Sequence, residues 1–339
     1  MRKHNFIFFL MFGTLIVNGQ QRPHYTQYIM NNYIVNPAIG GIENYIDVKM
    51  SIRNQWIGID GAPKTSYFTI HGPISKQDYR TTSTSFDTKG MNPRGQSYWQ
   101  DYTSAAPHHG LGMTLVNYST GYISRLTGFA TYSYHVGISN NTSLAAGFGL
   151  GLSSINLKFD KIKLANSSDP AVKTAIDKLN SLKPELNAGL WLYSNLYFLG
   201  LSAQQIIPVK FSLVDSTLYK STLIPHLFGT FGLRVPISDD INGLPSIMVR
   251  YIASSPVAVD INFKAQYRDL LWIGASYRRG VGFSAMSGVN IANKLNISYS
   301  YDANNSKYMI SSMNKGTHEI IIGFLLNNVY GDLCPKNIW

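Results

Sequence analysis

The chain has 339 residues, 29 Lys+Arg against 18 Asp+Glu, and a formal net charge of +11, yet charged residues make up only 14% of it, against roughly 25% in typical soluble domains. With 22 Tyr and 29 Gly, this composition fits a lipid-facing barrel better than a cytosolic enzyme, because Tyr anchors at membrane interfaces and Gly tolerates strongly bent strands. No basic run or recognition motif points to nucleic acid, so attraction to acidic surfaces such as lipopolysaccharide is the simpler reading of the charge, and the lone Cys334 excludes an intrachain disulfide or a thiolate metal cluster.

In chain order, residues 1–19 read as a secretory signal peptide: Arg2 and Lys3, an apolar run from Phe6 to Val17, and a small-residue cleavage site at Val17-Asn18-Gly19. No Cys follows that run, which excludes a lipoprotein. No later stretch approaches about 18 apolar residues, so any membrane crossing is made by strands. Residues 20–44 contain Asn36-Pro37-Ala38, followed by the turn residues Gly40-Gly41. They read as a plug-like segment entering a lumen; the alternative is a periplasmic lead-in held against a barrel base.

The barrel is expected over residues 45–326. Ile46, Val48, Met50 and Ile52 alternate with Asp47, Lys49, Ser51 and Arg53, the period of a strand with one apolar and one ionic face. Trp56 extends the apolar face, Asp60-Gly61-Ala62-Pro63 supplies a turn, and Phe68 and Ile70 resume the alternation. Residues 75–109 lack apolar periodicity and read as a long loop insertion. Further alternation runs through Thr127–His135, Thr142–Leu157, Val257–Gln266 and Leu295–Asp302. Residues 156–185 form a loop expected to carry a short helix after Asp169-Pro170. About fourteen strands result, most near the 9–11 residues a tilted strand needs to cross a bilayer. Tight turns at Ser194-Asn195, Arg268-Asp269 and Ala292-Asn293 then share the periplasmic side with both termini. Either the insertion at 75–109 is a specific periplasmic feature or one strand is miscounted. Residues 327–339 form a C-terminal tail.

Arg53-Asn54-Gln55-Trp56, followed by Gly58-Ile59-Asp60-Gly61-Ala62-Pro63-Lys64-Thr65, resembles the signature of the PorP/SprF family, outer-membrane proteins of the type IX secretion system of Bacteroidetes. The Asn36-Pro37-Ala38 segment is similar to the family's N-terminal motif, and more distantly to the plug of fatty-acid-transporter-like barrels. Likeness continues through Tyr197–Gln205, Trp272–Arg278, Tyr299–Asp302 and His318-Glu319-Ile320, nearly the whole mature chain. It departs at Asn31-Asn32, at Ile39 and in the insertion. The resemblance implies a non-enzymatic barrel that assists export or surface anchoring of cargo with a C-terminal sorting domain, gliding adhesins included, and that contacts the periplasmic ring lipoprotein. The rival class is a transporter: a porin or a carrier of hydrophobic solutes with a plugged lumen.

Candidate sites follow from these patterns. Lys49, Arg53, Arg125, Arg234, Arg250, Lys264 and Arg278, with Asp47, Asp260 and Asp302, fall on the lumen face. They either pair with one another, as polar groups in any barrel do, or hold an acidic plug or partner segment through bidentate Arg contacts. His71, His135, His226 and His318 sit at strand positions where a lumen hydrogen bond is expected. His108-His109 are adjacent and cannot share a face, which argues against a metal site. No nucleophile elbow or zinc-helix motif occurs, and no catalytic residue, metal or cofactor is expected. Gly147, Gly149 and Gly151 fit a bent strand better than a phosphate loop. Tyr98, Trp99 and Tyr102 are candidate docking anchors within the insertion. The expected surroundings are outer-membrane lipids, with no nucleic-acid partner.

Overall fold

Period-two alternation becomes a closed wall in the computed structural model, which describes residues 25–74, 76, 104, 106–157, 182–212, 220–238, 240–253, 255–268, 270–291, 294–304 and 316–327. The wall strands are β1 (Ile46–Asn54), β2 (Lys64–Ile74), β3 (His108–Thr120), β4 (Ile123–Ser139), β5 (Thr142–Leu157), β6 (Lys183–Tyr193) and β7 (Tyr197–Gln204), and then β10 (His226–Leu233) and β12 (Ile241–Ile252). They continue with β13 (Ser255–Tyr267), β14 (Leu271–Arg278), β15 (Gly282–Ile291), β16 (Leu295–Asn304) and β17 (Thr317–Leu326). A separate hairpin, β8 (Val209–Ser212) with β9 (Lys220–Leu223), lies between β7 and β10, and the short β11 (Val235–Pro236) pairs with β12. Each wall strand is antiparallel to its neighbours, and β1 pairs with β17 from Ile46↔Leu326 to Asn54↔His318, which closes a fourteen-strand barrel. Closure removes the unpaired edges that an open sheet would expose to lipid.

Register decides which residues face out. Leu115, Leu150, Ile261 and Ile322 form part of an exposed aliphatic band around the middle of the wall. Tyr122, Tyr251, Tyr277, Phe283 and Tyr301 ring one end of that band, while Tyr134 and Tyr267 mark the other. An apolar band between aromatic belts is the arrangement a bilayer selects. No helix among the described residues is long and apolar enough to cross a membrane.

We call the end where β1 begins and β17 ends the base, and the opposite end the mouth. At the base, Asn140-Asn141 joins β4 to β5 and Ser194-Asn195-Leu196 joins β6 to β7; residues 75–107 are the long connection there. The mouth carries the connections 158–182, 205–225 and 305–316. Among the described residues the closed wall has fourteen strands, and β2 and β3, which flank the insertion, pair directly with each other.

Two details differ from the sequence pattern. Trp56 is not on the apolar face of β1. It sits in the turn after it, half-buried, with φ 49 and its N–H donating to Thr317 Oγ1 at 3.3 Å. His318 faces outward rather than into the lumen, since Glu319 beside it takes the inward position; its Nδ1 lies 2.6 Å from the Tyr299 hydroxyl. The signal peptide, the helix after Asp169-Pro170, Tyr98, Trp99, Tyr102, Asp269, Ala292, Asn293 and Cys334 lie outside the described residues.

Candidate functional site: a filled lumen

The interior is occupied by the chain's own N-terminal segment. Three 3-10 turns, Thr26–Met30, Asn32–Ile34 and Pro37–Ile39, run from the mouth to the base, and nearly every residue from Thr26 to Ile42 is buried. Asn36 explains one of the bends: its side chain accepts from Ala38 N–H at 3.0 Å and Pro37 fills the first helical position, an N-cap built within three residues. Its amide also donates to the carbonyls of Leu190 at 2.9 Å and Leu201 at 3.3 Å, which ties the segment to β6 and β7.

At the mouth end, the backbone N–H groups of Thr26 and Gln27 donate to Glu319 Oε2, at 3.1 and 3.4 Å. Thr26 Oγ1 donates to Asp302 Oδ2 at 2.7 Å. Arg53 joins the two carboxylates, 2.6 Å from Asp302 and 3.0 Å from Glu319. In mid-lumen, Asn262 hydrogen-bonds the Tyr28 hydroxyl, Asn31 donates to Thr69 at 3.0 Å, and the Tyr33 hydroxyl meets Thr131. Tyr28, Met30, Ile34 and Val35 pack with Tyr67, Met248, Trp272 and Ile321, while Ala38, Ile39 and Ile42 pack with Trp191, Tyr193 and Phe198. A narrow cavity beside the first turn is lined by Tyr25, Tyr28, Phe228, Arg250, Asp260 and Arg278.

At the base, three histidines surround the Gly40-Gly41 turn. Gly41 N–H donates to His71 Nδ1 at 3.3 Å, His108 Nε2 lies 3.1 Å from Gly41 O, and His135 Nε2 lies 2.7 Å from Gly40 O. The His108 and His135 rings stack at 4.5 Å. Lys76, near the start of the insertion, donates to Ile42 O at 2.5 Å. Gly41 adopts φ 76, and a Cβ there would meet Gly110 Cα at 2.6 Å, so the crossing tolerates only glycine. His109 points outward onto the Tyr132 hydroxyl at 2.7 Å.

The lumen charges largely pair within the wall. Arg278 grips Asp260 through both oxygens at 2.7 and 2.9 Å, Lys49 meets Asp47 at 2.5 Å, and Arg125 meets Glu185. Arg234 and Arg250 are buried on the inner face. The Lys264 ammonium lies 3.6 Å from Met30 Sδ and 5.3 Å over the Trp272 ring. The segment from Thr26 to Ile42 carries no charged side chain, and Glu43, which follows it, is fully buried. Of the signature residues, Arg53 reaches the lumen and Asn54 ends β1. Gln55, Asp60, Gly61 and Pro63 form the turn to β2, where Gln55 N–H donates to Pro63 O at 3.0 Å and Gly61 O accepts from Gly121 N–H at 2.7 Å. Among the described residues no group of three or more His, Cys, Asp or Glu could hold a metal ion. Ser202 and Gln204 lie in the family-like stretch Tyr197–Gln205, and His71 and His135 make the lumen hydrogen bonds expected at their strand positions; His108 was missed, and its inward position on β3 is the signal that could have found it.

A closed, filled barrel with a lipid-compatible exterior is an outer-membrane β-barrel fold. The sequence model of the type IX secretion system membrane protein PorP/SprF matches residues 17–324. The chain belongs to the PorP/SprF family of type IX secretion system membrane proteins. No curated protein matches it. Among solved structures it is similar to the Acinetobacter baumannii outer membrane protein Omp33, at 7% identity and TM-score 0.44, over 84% of this chain and 100% of that one. It is also similar to the Pseudomonas putida toluene transporter TodX, at 9% identity and TM-score 0.45, over 90% and 93%.

Proposed function

We propose that the protein is a non-enzymatic outer-membrane component of type IX secretion, assisting export or surface anchoring of cargo that carries a C-terminal sorting domain, such as gliding adhesins. The family match across residues 17–324 carries this reading. A lumen filled from mouth to base supports it over an open porin, because an open pore needs a continuous polar path. Short turns at the base orient that end toward the periplasm, the normal arrangement in bacterial barrels. Export proceeds through cleavage of residues 1–19.

The connection 75–107 lies on the same end, where turns are normally short, and Tyr98, Trp99 and Tyr102 are residue types enriched in binding anchors. This insertion is the docking element for the periplasmic ring lipoprotein. Deleting Thr81 to Ala105 leaves the barrel assembled, abolishes cargo secretion and removes ring-lipoprotein co-purification. Normal secretion by that deletion contradicts the docking role. Failure of any exported protein to co-purify with the intact chain, together with solute uptake by liposomes containing it, contradicts the secretion role.

A further inference from the structure

Alongside its side-chain contacts, the lumen holds its resident segment by the main chain at many points. Gln204 Nε2 donates to the carbonyls of Ile34 and Val35, both at 2.9 Å, and Ser202 Oγ to Val35 O at 2.8 Å. Ser133 Oγ and His135 Nε2 meet Gly40 O at 2.5 and 2.7 Å, His108 Nε2 meets Gly41 O, and Glu319 accepts the first two N–H groups. Wall glycines let backbone come close: a Cβ on Gly110 would stand 2.1 Å from Gly40 O, and one on Gly147 would stand 2.6 Å from Ala38 Cα. Main-chain groups are the same in every polypeptide, so these contacts are open to other sequences, while the side-chain pockets favour residues like the resident ones. Charge narrows the class of occupant. The strongest lumen ions pair with each other, as Arg278 does with Asp260, and the resident stretch is uncharged.

We infer that the lumen is a polypeptide-binding tunnel, occupied in cis by Thr26–Ile42, which takes an uncharged segment rich in Asn, Tyr and Ile from a second chain when the resident one is out. This goes beyond the secretion reading and stands whether or not cargo co-purifies. The test uses the full chain in detergent with Cys334→Ser and a reporter thiol introduced by Ile39→Cys, each variant first shown to be folded by heat-modifiable migration. Gly41→Val unseats the segment at its exit, because the added side chain meets Gly110 Cα; where it does not assemble, Asn36→Ala loosens the same segment from β6 and β7. A fluorescent peptide with the sequence of residues 25–42 then binds saturably to the unseated variant and not to the parent. Adding Gln204→Ala weakens binding about tenfold, the scale of one or two lost hydrogen bonds. A peptide carrying Asn31→Asp and Asn32→Lys binds about tenfold more weakly as well, since its charges meet no free partners. No saturable binding while the reporter thiol labels freely overturns the inference. Protection of that thiol in both variants overturns it too, because the segment is then a permanent filling.

Discussion

Arg53 on β1 faces Glu319 on β17 across the seam that closes the barrel, its NH1 3.0 Å from Glu319 Oε2. The same oxygen accepts the main chain of Thr26 and Gln27, so one buried carboxylate serves both barrel closure and the placement of the lumenal segment. Arg53→Met strands Glu319 and Asp302 without their cation, and breaking a buried pair costs about 3–5 kcal/mol. The folded, fast-migrating form is expected to convert at a lower temperature in this variant. Arg53→Met with Glu319→Met loses less than the sum of the single changes. Unaltered conversion in Arg53→Met contradicts this role for the seam.

Ile261 and Asn262 are neighbours on β13 with opposite environments: Ile261 is 53% exposed on the outer face and Asn262 is 2% exposed against Tyr28. Ile261→Arg places a charge against lipid at mid-strand, which costs about 2–4 kcal/mol in a barrel, and assembly into the membrane falls. Asn262→Arg assembles but displaces Tyr28, so proteolysis of the segment quickens. Equal loss of assembly in the two variants would mean the facing is wrong.

Asn36 combines a cap on Ala38 with two donations to the wall. Asn36→Ala leaves that cap empty and costs about 1–3 kcal/mol at a buried site. Faster proteolytic release of residues 25–42, with the barrel still resistant to detergent, is the expected outcome. Release at the parent rate would show that apolar packing alone holds the segment.

The insertion is expected on the periplasmic side. A Cys placed at Ser97, in a Cys334→Ser background, stays unlabelled by a membrane-impermeant reagent on intact cells and labels once the outer membrane is permeabilised. Labelling on intact cells contradicts the orientation.

The wall was legible because its signal is local. Val257 to Gln266 alternates residue by residue, and a two-residue period is enough to set inside against outside. The interior was less legible because its contacts are long-range: nothing adjacent in sequence links Thr26 to Glu319, or Asn36 to Leu190 and Leu201. Single side chains depart from the pattern where a strand ends or its parity shifts the expected face. Trp56 continues the apolar pattern by count, but φ 49 turns it out of the strand. His318 looks like a lumen histidine until Glu319, bonded to Arg53, fixes the parity of β17. That the lumen cations pair within the wall was an open alternative in the sequence, but which carboxylates they meet was not legible, because Glu185 and Glu319 lie on distant strands.

Ion conductance through single barrels tests the central claim, a secretion-family barrel filled by its own N-terminal segment, most directly. Full-length protein in planar bilayers should carry no steady current, and a variant lacking residues 25–44 should carry one. Steady current through the full-length protein, equal to that of the deletion, would contradict the account and return the barrel to the porins.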